Sequence, residues 1–147
     1  MMEYLLLCVG NKEGGDDSIG PYIADKLEST KHISVIDCGT TPENYTSIVK
    51  KHKPKKLIII DATDMNLSPG EIRIIPEEKI GSMHISTHGI PLSIIMNYLK
   101  EHTEQILLIG IQPKTIHGPM TEKVKKSGDK LIKIIKNRNL RKIEILQ

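Results

Sequence analysis

Three carboxylates in this chain stand where apolar runs give way to loops, and carboxylates placed so can do acid–base or metal chemistry. Asp17 follows the run at 4–9 through the loop Gly10-Asn11-Lys12-Glu13-Gly14-Gly15-Asp16-Asp17, Asp37 closes the run at 33–36, and Asp61 closes the run at 56–60. If those runs are neighbouring parallel strands, the three side chains reach one crevice at the carboxyl edge of a sheet, where open α/β sheets bind ligands. Carboxylates gathered there repel one another unless a cation or a shared proton compensates them. His88, in Ser86-Thr87-His88-Gly89-Ile90-Pro91, adds an imidazole just ahead of a helix start. Asp17, Asp61 and His88 form a donor set that suits a borderline divalent ion and leaves positions open for a substrate. The plainer reading is that Asp16 or Asp17 caps a helix, Asp61 ends a strand and His88 is a loop histidine. On residue types alone that plainer reading leads.

Other chemistries fit less well. The segment at 10–20 is a glycine loop between a strand and a helix, but it lacks the glycine register of a dinucleotide site and the Lys-Ser/Thr of a P-loop. Two aspartates open its helix, where they repel phosphate. His84 and His88 are four apart, yet the intervening Ile85, Ser86 and Thr87 omit the glutamate base of a zinc-protease helix. Asp37-Cys38-Gly39-Thr40 faintly resembles the active-site turn of aspartic proteases, but a single copy would need a dimer and the setting is α/β. No serine sits in a nucleophile elbow.

The elements that must position these residues follow from periodicity. Leu5-Leu6-Leu7-Cys8-Val9 reads as a strand buried on both faces. Ile19, Ile23 and Leu27 mark one face of a helix over 18–27, with Pro21 in its first turn. A strand at 33–37 and a helix from Thr41 to about Lys51 come next, then a strand ending at Ile60. The strand at 71–75 arrives without a helix before it, which suits an antiparallel or edge element, because parallel crossovers need about a dozen residues or more. A helix from Pro91, a strand at 106–111 and a helix from Thr121 bearing Val124, Gly128, Leu131 and Ile135 on one face complete the chain. The expected fold is α/β: one domain over 1–147, a twisted, mainly parallel five-stranded sheet between helices, with one strand antiparallel.

Composition narrows the function classes. The chain has 147 residues, no Phe and no Trp, so its core is built from branched aliphatics suited to a parallel sheet. Its formal charge of +3 is concentrated at 50–56 and 123–142, where a solvated helix face is the simpler reading. No aromatics interleave the basic runs, so nucleic acid is not an expected partner. Cys8 and Cys38 lack metal-type spacing and read as reduced packing residues. No run approaches membrane-spanning length, so no membrane insertion is expected, and a cytoplasmic location is.

Seven blocks then occur in order: Leu7-Cys8-Val9-Gly10-Asn11, Gly15-Asp16-Asp17-Ser18-Ile19-Gly20-Pro21, Asp37-Cys38-Gly39-Thr40-Thr41-Pro42-Glu43-Asn44, Asp61-Ala62-Thr63-Asp64-Met65, Pro69-Gly70-Glu71-Ile72-Arg73, Ser86-Thr87-His88-Gly89-Ile90-Pro91-Leu92 and Gly110-Ile111-Gln112-Pro113. Together they resemble the nickel–iron hydrogenase maturation endopeptidases, particularly the formate-hydrogenlyase and membrane-bound hydrogenase branch. The resemblance implies removal of a C-terminal extension from the hydrogenase large-subunit precursor after nickel insertion. It places the metal ligands and catalytic residues at Asp17, Asp61 and His88, with individual roles unresolved. It gives Asp37 a supporting part and Asp16 the shaping of the loop. The nickel would come with the precursor, so the isolated protein would be empty or hold an adventitious divalent ion. A monomer or weak oligomer is expected. Two other readings remain open: a non-catalytic, metal-sensing chaperone with the same ligands, and a peptidyl-tRNA hydrolase, whose histidine soon after Gly-Asn is missing here.

Overall fold

Strand β1 (Tyr4–Val9) is buried along its whole length, as its unbroken apolar run requires, and it lies inside the sheet with a strand on either side. The computed structural model describes residues 2–81 and 90–147, with the backbone of 84–85. Strands β2 (Ile33–Gly39) and β3 (Lys56–Asp64) flank β1 in parallel, and β6 (Gln105–Ile111) lies parallel beyond β3. Strand β4 (Ile72–Ile75) closes the far edge antiparallel to β6, giving the order β2-β1-β3-β6-β4. The expected mainly parallel five-stranded sheet with one reversed strand is therefore present. A two-residue strand β5 (His84–Ile85), not foreseen from the sequence, pairs with the end of β3 at Thr63 and Asp64.

Helices cover both faces. Helix α1 (Ile19–Lys26) and α5 (Glu122–Lys136) pack on one, over Leu6, Cys8, Ile58, Ile60 and Ile109. Helices α2 (Thr46–His52), the short α3 (Glu77–Ile80) and α4 (Leu92–Leu99) pack on the other, over Leu5, Leu7, Leu57, Ile59 and Leu108. Helix α1 meets the sheet at backbone distance: a Cβ on Gly20 would lie 2.1 Å from the Val9 carbonyl oxygen. On the same face, Gly128 lets Ile19 seat against α5.

Both outer edges of the sheet are partly covered. Along β4, the Ile74 N–H donates to the Glu144 carbonyl and the Leu146 N–H donates to the Ile74 carbonyl, so the segment at 144–146 runs beside β4. Arg73 ties the two together through Glu71 (2.9 Å) and Glu144 (3.5 Å). Along β2, the Ile33 and Val35 N–H groups donate to the Thr30 and Ser29 hydroxyls. No helix among the described residues is long and apolar enough to cross a membrane.

Candidate functional site

Asp61 lies inside β3 rather than beyond its end, because the strand continues to Asp64 to pair with β5. Its neighbours Ile60 and Ala62 face α1 and α5 while Ile59 faces α2 and α4, so side-chain alternation turns Asp61 to the α2/α4 face. It is fully buried. Its register partner on β6 is Gly110, and the Ile75 and Thr63 side chains occupy the place where a Cβ on that residue would stand.

Asp17 sits in a 3-10 turn (Gly15–Ser18) between β1 and α1, and that turn packs against β3. A place in the loop or at a helix cap was expected of this carboxylate; the cap position of α1 falls on Ser18, with no side-chain cap bond, and not on Asp17. Its Oδ2 instead accepts the Asn11 N–H at 3.1 Å, which fastens the two ends of the loop. The turn is held close to the sheet because Gly10, without a side chain, lets the Asp17 carbonyl approach: a Cβ there would be 2.1 Å from that oxygen.

Asp16 is the residue whose importance sequence reasoning understated. Fully buried, its carboxylate accepts the N–H groups of Lys114 (2.8 Å), Thr115 (3.3 Å) and Thr121 (2.7 Å) and the Thr121 hydroxyl (2.9 Å), while its own N–H donates to the Thr115 carbonyl (2.8 Å). Gly15 makes this docking feasible, with a left-handed φ of 60° and no room for a Cβ against the backbone of Thr115 and His117. Asp16 thus clamps the turn carrying Asp17 onto the β6–α5 connection. Gln112 does similar service for the chain after Asp61. Its Oε1 accepts the N–H groups of Met65 (2.6 Å) and Leu67 (3.2 Å), and its Nε2 donates to Asp64 Oδ1 (3.1 Å). The sequence signals for Gln112 were its place just past a strand end and in the block Gly110-Ile111-Gln112-Pro113, neither of which showed this bonding.

Asp37 does not join Asp61. It too lies within its strand, and with Ile36 and Cys38 on the α2/α4 face and Val35 on the other, it points to the opposite side of the sheet. Strand β1 also separates β2 from β3. The expectation of a single crevice for all three carboxylates fails because the period of two along β2 and β3 sends these two side chains to different faces. Asp37 Oδ1 accepts the Gly39 N–H (3.0 Å), and Lys12 lies 3.5 Å from its Oδ2. His88, and the ligand role expected of it, fall outside the described residues.

The two thiols behave as the sequence suggested. Burial, with Asp37 and Glu43 nearby, pushes Cys38 up to about 12, and burial pushes Cys8 higher still. Neither is a thiolate near neutral pH, and neither is disulfide-bonded.

Asp17 and Asp61 are both shielded from solvent, on a turn and a strand that pack together, and carboxylates in such places can accept a proton or bind a cation. Two oxygen donors plus an imidazole would suit nickel or zinc better than calcium.

Comparison with known proteins gives this arrangement a family context. A family model described as hydrogenase maturation protease matches residues 19–138. The hydrogenase 3 maturation protease of Escherichia coli strain K12 is 42% identical over 129 residues, covering 84% of this chain and 83% of that protein. A putative hydrogenase maturation protease of Methanocaldococcus jannaschii is 40% identical over 140 residues, covering 87% and 83%. Among solved structures, a crystal structure of the hydrogenase 3 maturation protease superposes with a TM-score of 0.90 at 35% identity, covering 99% of this chain and 97% of that one. A [NiFe] hydrogenase maturation protease from Thermococcus kodakarensis does so with a TM-score of 0.81 at 30% identity, covering 92% and 91%.

Proposed function

Since the chain belongs to the hydrogenase maturation protease family and is an endopeptidase of hydrogenase maturation, we propose that it removes the C-terminal extension of a [NiFe] hydrogenase large-subunit precursor, and that nickel already seated in the precursor is the feature it recognises. The observation that carries this reading is the placement of Asp17 and Asp61: both are shielded from solvent, on a turn and a strand that pack together. In this reading the nickel is part of the substrate. Asp17, Asp61 and His88 would meet it at positions its own ligands leave open. A precursor lacking the metal would lack the anchor, so cleavage would report that insertion is complete.

The chemistry asked of the protein is modest. The cation supplies Lewis acidity, polarising the scissile carbonyl or acidifying a water. One of the two aspartates would accept the proton that the attacking water gives up, a task typically worth 10²–10⁴-fold in rate. Asp16 and Gln112 would hold the two carboxylate-bearing segments at fixed separation, and positional error of this kind is costly to rate.

Intact mass of a nickel-loaded precursor, measured before and after mixing with the protein beside a nickel-free control, tests the proposal. The expected result is loss of one C-terminal peptide from the loaded sample alone. Asp61→Asn and His88→Ala are each expected to cut that rate by about 100-fold or more while leaving the circular-dichroism spectrum unchanged. Equal cleavage of loaded and nickel-free precursor would overturn the anchoring role, and a folded, fully active His88→Ala protein would remove that residue from the site.

A further inference from the structure

Of the sheet's two outer edges, β4 is covered by main chain at Ile74, and β2 is covered only along its first half. The segment at 144–146 covers β4. On β2, the hydroxyls of Ser29 and Thr30 take the outward groups of its first half. In a parallel ladder the backbone groups of alternate residues point to the neighbour and to the outside in turn. The Val35 N–H points outward to Ser29, so the Val35 carbonyl and the N–H and carbonyl of Asp37 point outward too. None of these three groups has a hydrogen-bond partner among the described residues. Proteins normally blunt such edges, and this chain blunts all but the stretch at its carboxyl end.

That stretch borders a cleft of about 590 Å³. Pro21, Val35 and Met120 give it apolar walls, and Lys12, Ser18 and Asp37 lie at its polar side. Ser18 is the residue after Asp17, so the cleft is continuous with the turn that carries a proposed catalytic carboxylate. One outward acceptor, one outward donor and a second acceptor in sequence match the backbone of an extended peptide, which presents N–H, C=O and N–H along one side.

We infer that the outer edge of β2 from Val35 to Asp37 binds the polypeptide substrate as an added strand, leading the chain to be cut past Ser18 towards Asp17. The inference rests on the processing function proposed above and names where that substrate lies. An endopeptidase must hold its target chain extended, and among the described residues this is the longest run of unpartnered outward groups on the sheet's two outer edges. Val35 and the walls of Pro21 and Met120 would receive an apolar side chain of the peptide, while main-chain bonds would supply affinity with little demand on sequence.

Amide hydrogen exchange and a proline substitution test this. In a complex of the Asp61→Asn protein with the nickel-loaded precursor, exchange at the Asp37 amide is expected to slow at least tenfold relative to the free protein. Asp37→Pro removes the outward donor, a change edge strands tolerate, while Asp37→Ala removes the same carboxylate but keeps the N–H. In the Asp61-intact background, Asp37→Pro is expected to raise KM roughly 3- to 10-fold over Asp37→Ala with kcat unchanged between them, the worth of one main-chain hydrogen bond. Unchanged exchange at Asp37 in the complex would overturn the inference, whether or not the proline variant folds. So would equal KM for the two variants. Protection in the free protein that grows with its concentration would assign the edge to a second copy of the chain and overturn it as well. Failure of the unmodified protein to shorten any loaded precursor would count against the processing function instead, and protection at Asp37 on binding would still report strand addition.

Discussion

A single buried carboxylate one residue before the proposed ligand carries much of the positional burden. Asp16 supplies acceptors to three backbone N–H groups and a hydroxyl, all from the connection between β6 and α5. Removing it leaves buried donors unmade, which costs more than the bonds themselves contribute. Asp16→Ala is expected to lower stability by about 3 kcal/mol or more, read as a shift in urea midpoint. Processing by the surviving folded fraction should fall too, because the turn bearing Asp17 loses its tether. Asn at the same place keeps one acceptor oxygen and should fall between. From the sequence, Asp16 and Asp17 were interchangeable acids before a helix, and only the loop-shaping part of Asp16 was legible. What separates them is contact with residues about a hundred positions away, which no local pattern encodes. His88 rests on its residue type ahead of a helix start and on the ordered motif blocks.

Elements were more legible than their ends. Unbroken apolar runs marked β1, β3 and β6, and intervals of three and four marked α1 and α5. The reversed direction of β4 followed from a connection too short for a crossover. The extensions of β2 through Cys38-Gly39 and of β3 through Asp61–Asp64 were not legible, since no continuous apolar run marks them and strand pairing keeps them extended. That difference moved Asp37 away from Asp61. The juncture of β1 with α1 shows how tightly an element can depend on one missing side chain. Gly20→Ala would place a Cβ 2.1 Å from the Val9 carbonyl oxygen, so the helix must shift off the strand. Overpacking of a well-packed core typically costs 1–3 kcal/mol, and backbone as the obstacle puts this at about 3 kcal/mol. A melting curve of the variant checks it. The displacement should also slow processing, since α1 begins two residues after Asp17.

The whole molecule has a predictable response to alkali. Cys8 and Cys38 are buried as neutral thiols, so their folded pKa values stand above the ordinary 9, at about 12 for Cys38. The unfolded chain ionises first. The stability this asymmetry confers is therefore complete below pH 9 and is lost as pH rises towards 12. Between pH 8 and pH 10 the two thiols together should withdraw about 3 kcal/mol, seen as a falling urea midpoint. In a Cys8→Ala/Cys38→Ala protein that decline should be shallower. Iodoacetamide should leave both thiols unmodified until the protein is unfolded.

The strand-like segment at 144–146 bears on how this fold is reached during synthesis. A chain emerging from the ribosome presents every strand of the sheet before that segment exists. For that interval the outer side of β4 is bare, the condition in which nascent sheets find wrong partners. Arg73, set on β4 itself, keeps a charge at that margin until Glu144 arrives to pair with it. The same guanidinium would then act twice: first as a deterrent to foreign strands, and afterwards as the catch that fastens the right one.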